Sequence, residues 1–363
     1  MLEVPTIRWA IIATGLISFW FVEDLVLSRP DAPVNHVIQA IGSSSKEKGE
    51  AFAAKHCPNS KPKIYDSYEA ACKDPEVDVV YIGTPHGFHK KNCLEAIAHG
   101  KNVLCEKAFT LNAREAREVF AAAKEKGVYI AEAMWLRHRP LFKQLMKLLY
   151  EDKIIGDVFR MWSDFGREWD VPNLPATSRY RDLALGAGTL LDLGIYSLTW
   201  GITTLDPKIP KNSETPKILA AQTFEVGIEV ATSIILQYGS SGRQGIITST
   251  TKVDGNPDMV ARIEGTAGTI EVVGPTTSDP KYFVVYPKFS TDAAGNTKRG
   301  EGKRYDFEVP GRGYTYEADA TALDILAGKK ESDVMPWSES IRVMEIMDEI
   351  RRQGGTVYKA DKE

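Results

Sequence analysis

Cysteine is scarce in this chain, and its cysteines form no recognisable motif. The 363 residues include only Cys57, Cys72, Cys93 and Cys105, with no CxxC pair and no spacing typical of zinc ligands. A disulfide framework needs a denser set of cysteines than this, so the sequence favours a reducing compartment. We therefore expect a cytoplasmic protein.

A block of basic residues is also missing. The formal net charge is −4, and hydrophobic and charged residues make up 43% and 26% of the chain, which is typical of a soluble globular protein. This composition argues against nucleic acid as the main partner. The chain has no internal repeat and no low-complexity tract, and its length allows two domains with a buried core.

The hydrophobic run near the N-terminus is too short to span a bilayer. The segment 9–22 (WAIIATGLISFWFV) follows Arg8 and ends at Glu23 and Asp24, so it has the length of a signal-peptide core rather than of a membrane helix. No small-residue cleavage site follows it. We therefore assign this segment to a strand and a helix of a folded domain, and we expect no membrane partner.

The strand and the helix in this segment are joined by a turn that resembles a nucleotide-binding loop. Residues 7–13 (IRWAIIA) have a buried strand pattern, and residues 19–27 have helical periodicity. In the turn Thr14-Gly15-Leu16-Ile17-Ser18, the glycine positions of the dinucleotide fingerprint G-x-G-x-x-G/A hold Ala13, Gly15 and Ser18. The fingerprint is degraded, but it keeps the glycine that lets the backbone approach a pyrophosphate.

Strand and helix patterns continue to alternate after this turn. The spacing predicts a parallel, doubly wound α/β sheet over residues 1–134. Its further strands are expected at 36–41, 62–65, 77–82, 103–105 and 129–133, and its helices at 46–56, 67–72, 90–99 and 112–126.

The end of the second strand lacks the acidic residue that an NAD-specific protein carries there to bind the ribose 2'-hydroxyl. It holds Ser43, Ser44 and Ser45 instead, followed by Lys46 and Lys48. Hydroxyl and ammonium donors suit a 2'-phosphate, so the sequence favours NADP over NAD. Ser45 is also expected to be the N-cap of the next helix, and the two roles are compatible.

The loop after strand 77–82 carries Thr84, Pro85, His86 and His89. Two histidines without a third ligand close by do not make a metal site, and we predict none. A loop at the carboxyl end of a parallel strand is better placed to face a nicotinamide ring.

The stretch 101–110 (KNVLCEKAFT) places Glu106 and Lys107 directly after the apolar run 103–105. The carboxyl end of a strand is where ligands bind in open α/β sheets. A lysine there, beside a carboxylate, can take part in proton chemistry. The alternative is a solvated ion pair at the end of a strand.

The pattern changes after Met134, and we predict a second, α+β domain over residues 135–363. Successive strand patterns joined by glycine turns imply a large antiparallel sheet, and the C-terminal helix is compatible with packing back on the first domain. The strands are expected at 158–165, 218–227, 229–238, 243–251, 259–265, 268–273 and 281–286, and the helices at 140–150, 186–200, 316–327 and 338–353.

Residues 186–200 (GAGTLLDLGIYSLTW) are the second candidate for chemistry. In a helix, Asp192 and Tyr196 lie at positions i and i+4 on one face. A phenol with a pKa of ~10 is a poor base at neutral pH, but a nearby ammonium such as that of Lys107 stabilises the phenolate. A proton-transfer pair of Tyr196 and Lys107 and an ordinary buried helix remain the two interpretations of this stretch.

Five motifs in this order, ATGLIS, TPHGFH, EK after a strand, MWLRHRP and GAGTLLDLGIY, resemble the glucose-fructose oxidoreductase/inositol dehydrogenase/MocA family. More narrowly, the motifs resemble the branch with NADP-dependent D-xylose 1-dehydrogenase and dimeric trans-1,2-dihydrodiol dehydrogenase. The resemblance implies a Rossmann domain followed by an α+β domain whose large, mostly antiparallel open sheet often mediates dimer formation. We therefore expect a homodimer or a higher homo-oligomer.

The resemblance also implies roles for individual residues. The sequence departs from the family pattern at three positions: at Ala108, where proline is usual, at Ser18, and at Ser44, where relatives often have a basic residue. The implied catalytic residues are Lys107, Tyr196 and Asp192; the cofactor-binding residues are Thr14, Gly15, Leu16, Ile17, Ser43, Ser44, Ser45, Lys48, Thr84, Pro85, His86, His89, Glu106 and Lys107; and the substrate-binding residues are Trp135, Arg137, Phe165, Asp192 and Tyr196.

The function implied is NADP-dependent hydride transfer between the nicotinamide and a hydroxyl or carbonyl group of a sugar, as in D-xylose 1-dehydrogenase. A trans-1,2-dihydrodiol dehydrogenase and a tailoring reductase of secondary metabolism are the alternatives within the same chemistry. A non-catalytic NADP-binding regulator and a nicotinamide-dependent glycosidase are alternatives of other classes. The presence of both Lys107 and Tyr196 argues against the regulator.

Overall fold

A computed structural model describes residues 4–207 and 213–362. Its contacts divide the chain into two compact units. The first comprises Met1–His138 and Val309–Met344, and the second comprises Arg139–Glu308 and Glu345–Glu363.

The first unit contains a parallel sheet of six strands in the order β3-β2-β1-β4-β5-β6, which confirms the doubly wound sheet. The strand order reverses between β1 and β4, and the carboxyl ends at such a point form the usual ligand site. The elements are β1 (Thr6–Ile12), α1 (Leu16–Leu25), β2 (Asn35–Gly42), α2 (Lys46–His56), β3 (Lys63–Tyr65), α3 (Tyr68–Cys72), β4 (Val79–Ile82), α4 (His89–Ala98), β5 (Asn102–Glu106), α5 (Ala113–Lys126) and β6 (Ile130–Ala133).

The apolar segment 9–22 forms most of β1 and α1. Trp9 and Ile11 are fully buried in the sheet, because a central strand is covered on both faces. The helix begins at Leu16 rather than at the predicted residue 19, with Gly15 as its N-cap. Leu16, Ile17 and Ser18 therefore form the first turn of α1 and not a connecting loop.

The second unit contains a sheet of eight strands in the order β16-β13-β12-β11-β7-β10-β9-β8. Among the described strands of this sheet, β7 and β10 pair in parallel and the other neighbours are antiparallel, which confirms the large, mostly antiparallel sheet. The remaining elements are α6 (Pro140–Tyr150), β7 (Val158–Gly166), α7 (Ile195–Leu205), β8 (Lys217–Glu225), β9 (Ile228–Gln237), β10 (Gln244–Thr250), β11 (Ala261–Gly265), β12 (Gly268–Val273), β13 (Tyr282–Pro287), β14 (Ser290–Thr291), β15 (Thr297–Lys298), β16 (Lys303–Asp306), α8 (Thr315–Leu326) and α9 (Trp337–Gly354).

Helix α7 covers one face of this sheet at very short range. A Cβ atom added to Gly201 would lie 2.4 Å from Ile247 Cδ1 on β10, so a larger residue would force the Ile247 side chain to shift. By length and composition, the segment Leu183–Leu205 could cross a membrane, and 78% of its most apolar window is buried within the structure. That observation is weak evidence for a membrane span, because the core helix of a soluble protein passes the same test.

The segment 309–344, which the sequence assigned to the second domain, is grouped with the first unit. Asp24 in α1 explains this grouping, because its carboxylate accepts the backbone N–H groups of Arg312, Gly313 and Tyr314 at 2.8 to 3.1 Å. This contact joins residues 289 positions apart. Such a long-range contact leaves no local pattern in the sequence, so a division at a single boundary misses it.

Candidate active site

The turn between β1 and α1 is shaped to hold a phosphate group. Gly15 caps the helix without a side-chain hydrogen bond, no acidic residue lies in the first turn, and a Cβ atom at Gly15 would meet no atom within 4 Å. The helix N-terminus is therefore open, and its N–H groups and dipole favour an anion. Ala13 adopts a left-handed backbone with φ of 74°, at the first glycine position of the fingerprint.

Ser18 occupies the third position of the fingerprint, where a small residue allows close packing of helix and sheet. Its buried hydroxyl faces Gly83 at the end of β4, and a Cβ atom at Gly83 would lie 2.3 Å from Ser18 Oγ. The departure at Ser18 is thus accommodated by a glycine on the neighbouring strand. Sequence reasoning did not identify Gly83 as part of this turn.

At the end of β2, the ammonium of Lys48 donates to Ser44 Oγ at 3.2 Å. Both side chains are exposed. Ser45 has the predicted N-cap role, since its hydroxyl accepts the backbone N–H of Lys48 at 3.3 Å. Ser43 is buried beside them. The structure therefore places one hydroxyl and one ammonium together on the surface, as a phosphate site would require.

The ends of β4 and β5 are tied together by the fully buried His89. Its Nε2 lies 2.8 Å from the carbonyl oxygen of Thr84, and its Nδ1 lies 3.0 Å from that of Ala108. Because carbonyl oxygens only accept hydrogen bonds, a ring with hydrogen on both nitrogens makes both contacts. Thr84 in turn donates its hydroxyl to Asn92 Oδ1 at 3.0 Å. His89 thus holds two of the predicted cofactor loops at a fixed spacing.

Glu106 and Lys107 are both largely buried at the carboxyl end of β5. This excludes the interpretation of a solvated ion pair. The hydroxyl of Tyr81 on β4 donates to Glu106 Oε1 at 2.6 Å, a charge-assisted bond that fixes the carboxylate. The peptide bond between Lys107 and Ala108 is cis. A buried lysine at this edge of the sheet is in the position that the sequence predicted.

The two predicted substrate residues of the first unit lie in the short helical turn after β6. Trp135 stacks on Tyr314, with ring centroids 4.7 Å apart. Arg137 is buried and donates to Glu339 Oε1 at 2.7 Å. This buried ion pair gives Arg137 a structural role, and its contact with a substrate stays a prediction.

In the second unit, the predicted helix over residues 186–200 is interrupted in its first turns. Leu190–Gly194 forms a π-helical turn, and α7 begins only at Ile195. Tyr196 is buried at the start of α7, and its ring centroid lies 5.9 Å from that of Phe165 at the end of β7. The structure therefore brings together Phe165 and Tyr196, two of the predicted substrate residues, at one end of the second sheet.

Asp192 lies within the π-helical turn and is paired with an arginine from the preceding loop. Arg179 Nη2 lies 2.6 Å from Asp192 Oδ1. The guanidinium also lies over the ring of Tyr180, 4.6 Å from its centroid, and Tyr180 contacts Trp169 at 4.4 Å between centroids. An aromatic and cationic loop thus reaches the helix that carries Tyr196.

Comparison with known proteins identifies the architecture that these sites share. A family model described as "Oxidoreductase family, NAD-binding Rossmann fold" matches residues 7–133. A second, described as "GFO/IDH/MocA C-terminal domain", matches residues 143–271. The chain belongs to the GFO/IDH/MocA oxidoreductase family. The expected family is thereby confirmed.

The chain is similar to characterised members of this family over nearly its whole length. It is 35% identical to D-xylose 1-dehydrogenase (NADP(+)) of Hypocrea jecorina, covering 97% of this chain and 93% of the relative. It is 33% identical to trans-1,2-dihydrobenzene-1,2-diol dehydrogenase of Xenopus tropicalis, covering 97% and 99%. A 3-ketoreductase from Actinomadura kijaniata, solved with NADP, has a TM-score of 0.78 at 20% identity, covering 98% and 99%, which supports the fold.

Membership of the GFO/IDH/MocA family implies an NAD(P) cofactor, and the residues present fit it. The open N-terminus of α1 at Gly15 suits the pyrophosphate. The hydroxyl and ammonium of Ser44 and Lys48 lie at the end of β2, where the adenosine ribose binds in Rossmann folds. No group of three or more histidine, cysteine, aspartate or glutamate residues in the described parts of the chain forms a metal site.

One residue of this GFO/IDH/MocA member that sequence reasoning missed is Glu229 on β9. It is almost fully buried, and its Oε2 accepts the backbone N–H of Leu190 at 2.9 Å, at the start of the π-helical turn. Its Oε1 accepts the hydroxyl of Thr232 at 2.6 Å. The Tyr358 hydroxyl donates to Ala187 O at 3.0 Å just before this turn. These contacts fix the beginning of the segment that carries Asp192 and Tyr196.

Replacing Glu229 with glutamine is expected to raise Tm at pH 8 by ~5 °C and to change it little at pH 5. Burial raises the pKa of Glu229 from 4.5 to about 7, against the opposing effect of its hydrogen bonds. The folded state therefore holds the proton more tightly than the unfolded state, and stability falls as the pH rises from about 4.5 to about 7. Above pH 7 the loss of folding free energy is complete and amounts to about 3 kcal/mol.

Differential scanning calorimetry from pH 5 to pH 8 measures this difference. A glutamine side chain can accept the backbone N–H of Leu190 and donate to the Thr232 hydroxyl. The substitution therefore keeps the packing and removes the ionisable carboxyl group. The exposed Glu168 provides the matched control, because its replacement by glutamine removes a carboxylate without removing a buried one. A Tm difference between Glu229→Gln and the unchanged protein that stays constant across this range would contradict the assignment.

Proposed function

We propose that this chain is an NADP-dependent dehydrogenase that oxidises a CH–OH group of a sugar, as the relative D-xylose 1-dehydrogenase (NADP(+)) does. The observation that carries the proposal is 35% identity to that enzyme over 97% of the chain. The buried Lys107 at the end of β5 and the buried Tyr196 at the start of α7 support it. A small-molecule substrate, a cytoplasmic location and the absence of nucleic-acid or membrane partners belong to the same proposal.

In the proposed mechanism, Tyr196 is the acid/base group. Its phenolate oxygen would remove the proton of the substrate hydroxyl. A bound nicotinamide would supply the acceptor for the hydride of the carbon that carries this hydroxyl. The ammonium of Lys107 stabilises the phenolate and the developing negative charge on the substrate oxygen. Asp192 accepts a hydrogen bond from a neighbouring hydroxyl and orients the substrate. Reduction of a carbonyl follows the same path in reverse.

The second candidate is oxidation of a trans-1,2-dihydrodiol. It is supported by the 33% identity to trans-1,2-dihydrobenzene-1,2-diol dehydrogenase. The aromatic and guanidinium groups of Trp169, Arg179 and Tyr180 can cover the face of an arene or that of a sugar. A panel of aldoses and dihydrodiols with NADP⁺ and NAD⁺, and of small ketones with NADPH and NADH, distinguishes the candidates when the absorbance of the reduced nicotinamide is followed. A tailoring reductase would turn over only the ketones, and neither a regulator nor a glycosidase, which recycles its cofactor, would accumulate reduced cofactor.

The preference for NADP over NAD is supported by the contact between Lys48 and Ser44. Replacing Lys48 with alanine is expected to raise Kd for NADP about tenfold and to leave Kd for NAD unchanged, because a charge-assisted contact with the 2'-phosphate is lost. Fluorescence titration measures both constants. Lys55→Ala is the control, since Lys55 is also exposed but lies in the last turn of α2, away from Ser44. Equal losses for both cofactors would contradict a role at the 2'-phosphate.

We also propose a homodimer formed through the outer face of the large sheet. That face is opposite α7, and its apolar half exposes 53% of Leu219, 45% of Ile235 and 40% of Ile246. An apolar patch on adjacent strands indicates an interface. The strand registers align one row of residues across it: Leu219, Ile235, Ile246, Trp162, Arg262, Glu271, Val284 and Arg304.

Replacing Ile235 with aspartate is expected to convert the dimer into a monomer, because it places a charge at the centre of the apolar half of the row. Size-exclusion chromatography with light scattering measures the mass. Gln237 provides the control on the same exposed face of β9, and Gln237→Asp should remain a dimer. A mass of 40.2 kDa for the unchanged chain would contradict the proposal.

A further inference from the structure

The mechanism proposed above does not use the buried carboxyl group of Glu317 in α8. Its side chain is 1% exposed. Within residues 4–207 and 213–362, neither of its carboxyl oxygens has a hydrogen-bond partner. An ionised carboxylate without donors is strongly disfavoured in a protein interior, so the group holds its proton. Burial, reinforced by the charges of Glu106 and Asp24, raises the pKa of Glu317 well above its usual range.

The groups around Glu317 come from α1, β4, β5 and the residue before α8, all in the first unit. The charges of Asp24 on α1 and Glu106 on β5 raise the pKa of Glu317. Tyr81 on β4 interacts electrostatically with Glu106, with Glu317 and with Tyr314, the residue before α8. Glu106 accepts the hydroxyl of Tyr81, and Asp24 accepts the three backbone N–H groups that precede α8. Burial raises the pKa of Asp24, but its three backbone donors oppose that rise, and the Tyr81 hydroxyl stabilises the ionised form of Glu106 in the same way. Glu317 has no such donors among the residues that the structure describes, so of the three acids it holds its proton most tightly.

One member of this cluster, Glu106, lies at the ligand-binding edge of the first sheet. Glu106 is the last residue of β5, and ligands bind at the carboxyl ends of such strands. The nicotinamide ring carries a positive charge when it is oxidised and none when it is reduced. A positive charge near an acid favours ionisation, so the proton affinity of Glu317 depends on the oxidation state of the ring. A buried acid without donors that interacts with a residue at such an edge is a functional candidate.

We propose that Glu317 is a proton-binding site coupled to the oxidation state of the cofactor. When the oxidised nicotinamide binds, the O–H bond of the Glu317 carboxyl breaks and the proton passes to the solvent. When the reduced nicotinamide binds, the carboxyl keeps its proton. A rise in pH therefore strengthens the binding of NADP⁺ relative to that of NADPH. The inference rests on the proposed function only in that the chain must bind both forms of the cofactor.

Isothermal titration calorimetry of the full chain tests this coupling. NADP⁺ and NADPH are titrated in phosphate and in Tris, whose ionisation enthalpies differ, so the protons released on binding can be counted. Both cofactors carry the 2'-phosphate, so protons that this group releases on binding cancel when the NADPH value is subtracted from the NADP⁺ value. We expect more protons released with NADP⁺ than with NADPH. The ratio of Kd for NADPH to Kd for NADP⁺ should rise with pH, by at most tenfold per pH unit.

Glu317→Gln should abolish both effects, because glutamine keeps the shape of the side chain and does not titrate. Glu115→Gln is the matched control. Glu115 is also a buried carboxyl of the first unit, but it accepts the backbone N–H of Leu111 at 3.2 Å. The control variant should keep the difference in released protons and its pH dependence.

Equal proton release by the unchanged chain and by Glu317→Gln, with both cofactors bound, would overturn this inference and leave the proposed function intact. Failure of the unchanged chain to bind either cofactor would overturn both. If Glu317→Gln does not fold, infrared difference spectra of the unchanged chain decide the question. Loss of a protonated carboxyl band with NADP⁺, but not with NADPH, supports the proposal, and identical spectra overturn it.

Discussion

Replacing Tyr196 with phenylalanine is expected to lower kcat for sugar oxidation by about 10²- to 10⁴-fold, the range that general-base catalysis contributes. The substitution removes only the hydroxyl. The ring stays buried next to Phe165, so the fold of the second unit should be kept. Steady-state rates with the best substrate of the panel measure the effect, and KM should change much less than kcat because the lost interaction acts in the transition state.

Tyr180 offers a matched control for this experiment. It lies in the same unit, and its ring packs against Trp169 and Arg179. If the loop binds the substrate without moving its proton, as proposed, Tyr180→Phe should change KM more than kcat. Near-normal turnover by Tyr196→Phe would remove Tyr196 from the mechanism and would require another proton acceptor.

The secondary structure was predictable where local chemistry specifies it. Helix α2 begins and ends at the predicted residues because Ser45 caps its first turn. Helix α6 does so because Pro140 occupies its first position. Helix α5 begins after the cap Asn112 and ends at Gly127, which has a left-handed backbone. In each case the signal lies within a few residues of the helix end, where a sequence pattern can reveal it.

Features that depend on contacts between distant residues were not predictable. Glu229 and Leu190 are 39 positions apart, and Gly83 meets Ser18 only because β4 lies beside β1. The π-helical turn over Leu190–Gly194 carries no pattern that distinguishes it from an α-helix. Strand β16 is short and largely exposed, so it lacks the apolar alternation from which the other strands of its sheet were predicted.

The same distinction between local features and long-range contacts applies to the candidate site. Lys107 and Gly15 were predictable because a strand end and a helix start are local features. The residues that support them were not: Tyr81 holds Glu106 from the neighbouring strand, and His89 joins the ends of two strands. The supporting residues therefore needed the structure, while the candidates for chemistry came from motifs and from the family resemblance.

Replacing Lys107 with methionine is expected to lower kcat by about 10²-fold or more and to move the rising part of the pH–rate profile to higher pH. The ammonium stabilises the phenolate of Tyr196 in the proposed mechanism, so its loss makes the phenol harder to ionise. A shift of one pH unit corresponds to about 1.4 kcal/mol of lost stabilisation. The measurement is kcat and kcat/KM between pH 6 and pH 10.

Two further variants separate charge from packing. Lys107→Arg keeps a cation at the end of β5 and should retain much of the wild-type pH profile at a reduced rate, because the guanidinium does not occupy the same position. Lys90→Met removes a lysine of the same unit that pairs with Glu118 at 2.5 Å, and it should leave the profile unchanged. If Lys107→Met loses activity without any shift in the profile, Lys107 orients the substrate but does not stabilise the phenolate, and the acid/base assignment of Tyr196 then depends on another cation.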